Sequence, residues 1–409
     1  MTTPRDAGRV VIVGAGLAGY SAATELRALG HEGPITLVDG EPDAYDRPPL
    51  SKRLFDADLD LDSLSFATSE KLAEKRIDTV FGVRVDAIDP AAGTVTLGDG
   101  AVLAADTVLL TTGGRARALP VPGADLPRVH TLRTFTDAVA IRDAARPGMR
   151  AVVIGAGLIG AELASSLNQA GVRVTLIDPV TVPLIPAVGE LLATTLHDLH
   201  TAHGVEVIVG VTQEIRQSRD GLTVIVADGP ALPADVVVVG IGIVPDTTLA
   251  RAAGLAVDDG IVVDDQYRTS APNVFAAGDV ARRRSADGTL HRREEHWEAA
   301  QIAGRHAAHG ILGLQVPARG APWFWSDRHN VHLEATGRLT GPGDLVLRAV
   351  GAHPTVFLVD DGVVVGAAAI DDNTSIRAAR RLIDQRIPVS LEDLADPTVS
   401  LRSLLKAVR

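Results

Sequence analysis

The chain contains no cysteine. Disulfides, zinc–thiolate sites, cysteine-ligated iron–sulfur clusters and a Cys-x-x-Cys redox pair are therefore excluded as features of this polypeptide, and any electron chemistry has to run through a bound cofactor. No protein-bound metal is expected. Positive charge is in deficit: 39 Lys and Arg face 51 Asp and Glu, a net charge of −12, which argues against nucleic acid as a partner. Long apolar runs are missing too. The longest, residues 236–244, falls far short of the ~20 residues of a membrane span, and Met1-Thr2-Thr3-Pro4-Arg5 opens without a signal-peptide core, so the cytoplasm is the expected location. Aromatic residues make up only 3%, yet all three tryptophans (Trp297, Trp323 and Trp325) fall within 29 residues, a clustering that suggests a planar ligand.

What the chain does have is a repeat. Its 409 residues leave room for two or three domains, and 46% hydrophobic with 22% charged residues is ordinary for a globular protein. Val10-Val11-Ile12-Val13-Gly14-Ala15-Gly16-Leu17-Ala18-Gly19 is echoed by Ala151-Val152-Val153-Ile154-Gly155-Ala156-Gly157-Leu158-Ile159-Gly160. Each is a buried-strand run leading into G-x-G-x-x-G. Helices are predicted over 17–29 and 158–170, ended by Gly30 and Gly171, and second strands over 35–38 and 173–177. Those strands end in Asp39 and Asp178, 20 and 18 residues past the third glycine, where a carboxylate meets a ribose hydroxyl. The first glycine permits the turn, the second admits a pyrophosphate, and the third lets helix pack on strand. Two βαβ units and two dinucleotides are implied.

Between the repeats, residues 94–103 read as a hairpin and 107–110 as a buried strand ending in Thr111-Thr112-Gly113-Gly114. The counterpart after the second repeat is 236–239, ending in Gly240-Ile241-Gly242. Beyond residue 326, strands at 331–333, 345–350 and 355–359, a turn at Asp361-Gly362 and a basic helix over 375–386 suggest a separate α+β domain. The expected fold is α/β, with two Rossmann-like dinucleotide-binding domains and a C-terminal α+β domain. Its expected boundaries are 1–115 with 245–321, 116–244, and 322–409.

Four further stretches carry a resemblance across essentially the whole chain: Tyr45-Asp46-Arg47-Pro48-Pro49-Leu50-Ser51-Lys52, Leu132-Arg133-Thr134, Val274-Phe275-Ala276-Ala277-Gly278-Asp279-Val280, and Pro322-Trp323-Phe324-Trp325-Ser326-Asp327. With them the chain resembles the FAD-dependent flavoproteins of the pyridine-nucleotide disulfide-oxidoreductase type. Within these it resembles the NADH-dependent ferredoxin reductases that serve bacterial monooxygenases and ring-hydroxylating dioxygenases. The resemblance implies that the first repeat holds tightly bound FAD, with Gly14, Ala15, Gly16 and Gly19 at the pyrophosphate, Asp39 on the ribose and Val85 at the adenine end. It puts Lys52 against the isoalloxazine, Asp279 on the ribityl chain, Arg133 near the pyrophosphate or flavin charge, Trp297 beside the flavin and Trp325 at its edge. Arg47, Thr112, Gly113 and Gly242 join the expected cofactor contacts. An ammonium such as that of Lys52 would stabilise charge on a reduced flavin.

The second repeat then takes NADH through Gly155, Gly157, Leu158, Ile159 and Gly160. The resemblance brings Glu162 to the nicotinamide carboxamide, and Lys52, Glu162 and Trp325 are the expected catalytic residues. Asp178 accepts hydrogen bonds from a 2′-OH and repels a 2′-phosphate, and residues 179–186 hold no Arg, Lys or His. NADH is favoured over NADPH by roughly 1–3 kcal/mol if one ion pair is the difference. Many relatives carry an arginine here, and its absence bears on how tightly NADH is held.

The mechanism implied is hydride transfer from NADH to flavin N5, then release of single electrons to a 2Fe-2S ferredoxin. Without cysteine, disulfide-reducing activities of the same fold are excluded. Ferredoxins are usually acidic, so docking needs a local positive patch, and Arg282, Arg283, Arg284, Arg292 and Arg293 are its expected members. Two other readings stay open: an NADH oxidase or quinone reductase on the same scaffold, and a redox-controlled interaction protein resembling apoptosis-inducing flavoproteins.

Overall fold

A computed structural model describes residues 5–219 and 221–405. Residues 1–4, read above for a leader, lie outside the described residues. Among the described residues no helix is long and apolar enough to cross a membrane.

The chain divides into two compact units. The first joins the chain up to Arg47 with Asp60–Arg115 and Ile243–Arg319; the second joins Pro48–Leu59, Ala116–Gly242 and the chain from Gly320 onward. In the first unit the strand Val10–Val13 forms the middle of a five-stranded parallel sheet, with Ile35–Asp39 and Ile77–Phe81 on one side and Thr107–Leu110 and Val274–Ala276 on the other. Val10–Val13 and Thr107–Leu110 are buried along their whole length, as expected of strands covered on both faces. The predicted hairpin is present as Thr94–Leu97 and Val102–Ala104, joined by Val85–Asp89 into a three-stranded antiparallel sheet.

The second unit builds the same layout from the second repeat. Arg150–Ile154 is central, with Arg173–Asp178 and Glu206–Val209 on one side and Val236–Val239 and Val129–Thr131 on the other, all parallel. It too carries a three-stranded antiparallel insert, Thr212–Ser218, Gly221–Val226 and Ala231–Ala234, ahead of its fourth strand. Only the fifth strand differs in origin: it comes from far downstream in the first unit and from just upstream of the repeat in the second.

The C-terminal segment of the second unit is an antiparallel sheet in the order Trp323–Arg328, Val331–Gly337, Val363–Ile370, Thr355–Asp360, Asp344–Arg348. One face buries Phe357, Val364 and Val346 against Ile376 and Leu382 of the helix Asn373–Asp384. The other buries Leu333, Val356 and Leu358 against Leu192 and Leu196 of the helix Glu190–Ala202. The basic helix begins two residues before the predicted start, because Asp372 caps it by accepting from the Ser375 amide at 3.1 Å, and ends before Arg386, whose φ of +49° is left-handed. The strand predicted over 345–350 runs instead over Asp344–Arg348. The Arg348 side chain turns inward there to donate to the carbonyls of Leu394, Asp396, Pro397 and Val399.

The third glycine of each loop is fixed by close approach. A Cβ at Gly19 would lie 1.9 Å from the Gly14 carbonyl oxygen, and one at Gly160 would lie 1.9 Å from that of Gly155. At Gly157 an added Cβ would meet nothing within 4 Å. Gly160→Ala is therefore expected to destabilise the protein by about 1–3 kcal/mol in urea denaturation. Gly157→Ala should hold stability within about 0.5 kcal/mol and show its effect in weakened dinucleotide binding by calorimetry.

Candidate active site

Both nucleotide loops are built to the same hydrogen-bond plan. Gly14 and Gly155 turn the chain at φ +108° and +100°, a conformation that side chains rarely adopt. In the first unit the Asp39 carboxylate accepts from the Ala15 amide at 2.6 Å and the Glu41 amide at 2.8 Å. In the second, Asp178 accepts from Ala156 at 2.7 Å and Val180 at 2.8 Å. Each aspartate thus secures its own glycine loop, and a carboxylate with about four lone-pair sites retains capacity for a ribose hydroxyl.

The helices that follow, Leu17–Ala28 and Leu158–Gln169, start at Gly16 and Gly157 with no side-chain cap, so their first-turn N–H groups stay available to phosphate oxygens. The outer side of each loop is open, since a Cβ at Gly16 or Gly157 would meet nothing within 4 Å. These cradles fit a dinucleotide pyrophosphate. Ile159 is exposed, as are Val180, Val209 and Val211 near the Asp178 end of the sheet.

Other expected cofactor residues of the first unit fall as follows. Val85 opens the strand Val85–Asp89, and Thr112 donates to the Asp246 carbonyl at 2.7 Å beside Gly113, whose φ is +61°. Asp279 lies in the short turn Gly278–Val280 that ends the strand Val274–Ala276, with its carbonyl accepting from Arg293 at 3.1 Å. Trp297 begins the helix Trp297–Ile311 and donates its indole N–H to Asp46 at 2.7 Å; burial pushes the Asp46 carboxyl up, against that bond. The Arg47 guanidinium lies 5.1 Å from the Tyr45 ring centroid. Of the arginines expected to face a ferredoxin, Arg282 pairs with Asp258 at 2.9 Å and Arg283 with Asp265 at 2.8 Å. Arg293, nearly buried, pairs with Glu295 at 2.6 Å and Asp259 at 3.4 Å. Arg284 and Arg292 are exposed.

In the second unit, Gly242 turns at φ +98°, and the Arg133 amide donates to Asp137, part of the capping box of the helix Phe135–Ala144. Here three expected catalytic residues come together. Glu162, in the first turns of the helix after the glycine loop, is only 4% exposed. Its carboxylate accepts from Ser51 Oγ at 2.5 Å, from Ser326 Oγ at 2.6 Å and from the Lys52 ammonium. Lys52 Nζ lies 5.7 Å from the Trp325 ring centroid and 3.3 Å from Asp327 Oδ2. Ser166, one helical turn beyond Glu162, donates to the Ser51 carbonyl at 2.7 Å and locks the short Pro49–Lys52 helix in place. Trp323 stacks on Trp325 at 5.1 Å, as residues two apart on one strand face should.

Sequence reasoning overlooked the residues that support this cluster. Ser51 and Ser326 lie within the motifs without an expected role, and adjacency to Lys52 and Trp325 is the signal that could assign them one. Arg328 is 3% exposed, donates to Ser326 Oγ at 2.9 Å, and is lowered to about 10, first by burial, against the opposing pull of Glu162 and Asp327. Next to it, His329 and Asn330 form a left-handed two-residue turn at φ +50° and +63°. The His329 amide donates to Ser165 at 2.7 Å, and its ring meets His200 at 2.9 Å and stacks on His203.

Burial, reinforced by neighbouring cations, pulls His200 down to about 2 and His329 down to about 4. Both are therefore neutral in the fold at pH values where the unfolded chain binds protons. Stability should fall as pH drops from about 6.5 toward 4, and His329→Asn, which suits a left-handed turn, should flatten that fall in a urea series against pH. Glu162→Gln removes the buried anion of Lys52 and Arg328, leaving them only the half-exposed Asp327, and is expected to cost on the order of 3 kcal/mol in the same assay.

Residues 8–307 match the pyridine nucleotide-disulphide oxidoreductase family, and residues 323–405 match the reductase C-terminal family. The chain is 39% identical to the biphenyl dioxygenase system ferredoxin-NAD(+) reductase component of Paraburkholderia xenovorans, over 97% of this chain and 98% of that protein. It is 34% identical to putidaredoxin reductase of Pseudomonas putida, over 98% and 97%. Its fold superposes on the reductase of a covalent putidaredoxin reductase–putidaredoxin complex with a TM-score of 0.91 at 33% identity, covering 98% of this chain and 99% of that one. With cradle, anchoring carboxylate and buried Lys–Glu pair all in place, the chain belongs to the pyridine nucleotide-disulphide oxidoreductase family, among its ferredoxin-NAD(+) reductases.

Proposed function

We infer that the chain is an FAD-dependent reductase that takes a hydride from NADH and passes electrons singly to a 2Fe-2S ferredoxin. That ferredoxin in turn supplies a monooxygenase or ring-hydroxylating dioxygenase. The observation that carries this reading is the nucleotide loop built twice on one plan, each with its aspartate bonded across the glycine turn. Residues 1–115 with 245–321 are assigned to FAD, 116–244 to NADH and 322–409 to the C-terminal domain. The chain's expected working place is the cytoplasm.

Bound FAD supplies the conversion between two-electron and one-electron chemistry. The chain's own residues hold, orient and compensate charge. Gly14, Ala15, Gly16 and Gly19 receive the FAD pyrophosphate, Asp39 the ribose, Val85 the adenine end and Asp279 the ribityl chain. Arg47, Thr112, Gly113, Arg133 and Trp297 complete its surroundings. Gly155, Gly157, Leu158, Ile159, Gly160 and Gly242 receive NADH, with Asp178 selecting it over NADPH by repelling a 2′-phosphate. Glu162 orients the Lys52 ammonium, and Lys52 presents positive charge where a reduced ring holds negative charge. Trp325 offers a flat face beside Lys52. Ferredoxin docking is assigned to the surface around Arg282, Arg283, Arg284, Arg292 and Arg293. The ion pairs of Arg282, Arg283 and Arg293 offset much of their charge, so Arg284 and Arg292 carry most of the steering.

Anaerobic stopped-flow mixing tests the reading. NADH should bleach the flavin at concentrations at least ten times lower than NADPH requires, and Asp178→Ala should raise the NADH concentration needed by about tenfold, or ~1.4 kcal/mol. Arg284→Glu with Arg292→Glu should slow onward transfer to a 2Fe-2S ferredoxin and leave bleaching by NADH unchanged. A colourless purified protein would sink the flavin premise, and slow transfer with fast oxygen turnover would favour an oxidase.

A further inference from the structure

Hydride taken from NADH carries one proton with two electrons, whereas a ferredoxin accepts electrons alone. The balanced reaction, NADH + 2 ferredoxin(ox) → NAD+ + 2 ferredoxin(red) + H+, therefore releases one proton in each turnover. The Lys52–Glu162 pair, at 13% and 5% side-chain exposure, is too buried to hand it straight to bulk water.

One chain of polar contacts leads from Glu162 to exposed side chains. The Lys52 ammonium bonded to Glu162 also reaches Asp327 Oδ2 at 3.3 Å. The other oxygen of Asp327, Oδ1, lies 2.6 Å from His332 Nδ1, and His332 Nε2 lies 3.2 Å from Glu334 Oε1. Side-chain exposure rises along the chain from 5% at Glu162 to 13% at Lys52 and 39% at both Asp327 and His332. The buried end holds the charge pair, the middle meets water at Asp327 and His332, and Glu334 beyond them is buried again at 10%.

We propose that Asp327 is the proton outlet of the active site, taking a proton from Lys52 at Oδ2 and giving it to water, while His332 is the positioning residue that holds Oδ1 and so turns Oδ2 toward Lys52. For each proton that Lys52 gives up, it takes one from the reduced cofactor. The number bound to the relay is then unchanged after a turnover. The proposal rests on the reading of Lys52 as a neighbour of the flavin.

Asp327 suits a carrier that lets go quickly. Burial disfavours its charge, but the His332 hydrogen bond and the Lys52 ammonium outweigh that and hold its carboxyl below the usual range. His332 is raised to about 9, first by its hydrogen bond to Asp327 and then by that to Glu334, so it is an imidazolium at neutral pH. The charged groups around it are Asp327 and Glu334 on its own hairpin, Lys52 beyond Asp327, Arg377 of the Asn373–Asp384 helix acting on Glu334, and Asp371, which accepts the His332 backbone N–H at 2.9 Å. As pH rises through about 9 the imidazolium is lost, and with it the hold on Asp327.

The test uses the full-length, FAD-loaded protein reduced anaerobically by one equivalent of NADH. It is then mixed with two equivalents of ferricyanide, a one-electron oxidant that carries no proton, in weakly buffered solution with a pH indicator. In the parent, proton release should keep pace with return of the flavin colour and slow above pH 9. In Asp327→Asn, proton release and reoxidation should both slow at least tenfold. Imidazole added to a parallel sample should restore the reoxidation rate, and Asp327→Glu should retain most of it. His332→Gln should show a smaller delay without the change above pH 9. Proton release on time in Asp327→Asn, or a delay that imidazole leaves untouched, would overturn the outlet alone. A parent that NADH cannot reduce would overturn the outlet together with the reductase reading.

Discussion

The Glu162 carboxylate is the point on which the second unit's chemistry turns. It is buried, and three segments far apart in sequence converge on it: Ser51 and Lys52 from the short Pro49–Lys52 helix, Ser326 from the first C-terminal strand, and its own helix from the second glycine loop. A buried carboxylate is tolerated only when its lone pairs are satisfied and its charge is opposed. Each donor therefore has to arrive in place, and together they fix the register of the C-terminal sheet against the nucleotide-binding helix within this unit. Arg328 adds a second cation one hydroxyl away, so that the carboxylate lies between two positive charges rather than one.

Much of the fold could be read in the sequence because its signals are local. Glycine spacing, buried valine runs and terminal aspartates are set by short-range geometry, and both βαβ units follow them closely. The strand Val363–Ile370 carries a weak sequence signal because four of its eight residues are glycine or alanine. The reason lies in its neighbour: a Cβ at Gly366 would stand 1.7 Å from the Arg338 carbonyl oxygen. Trp323–Arg328 shows its tryptophans more plainly than its strand character, since its aromatic alternation serves packing and ligand contact alike.

The site was legible in part. Lys52, Glu162 and Trp325 are named by motif, and in the structure they lie together in one unit. The hydroxyls, the buried guanidinium and the Asp327–His332–Glu334 chain are set by pairing across the hairpin, where Asp327 faces His332 and Trp325 faces Glu334. No periodicity in one sequence announces such register.

The differing source of the fifth strand in the two sheets has a consequence for biosynthesis. The sheet centred on Arg150–Ile154 is complete once the chain has been made through Val239, and all its strands lie within about 110 consecutive residues. The sheet centred on Val10–Val13 begins at the N-terminus yet waits for Val274–Ala276, and for the helix Trp297–Ile311 that packs on Leu17–Ala28, with Gly304 against the Ala18 backbone. On a ribosome, the sheet begun first is thus the sheet completed later, and its open strand edge at Thr107–Leu110 needs protection from wrong pairing during synthesis.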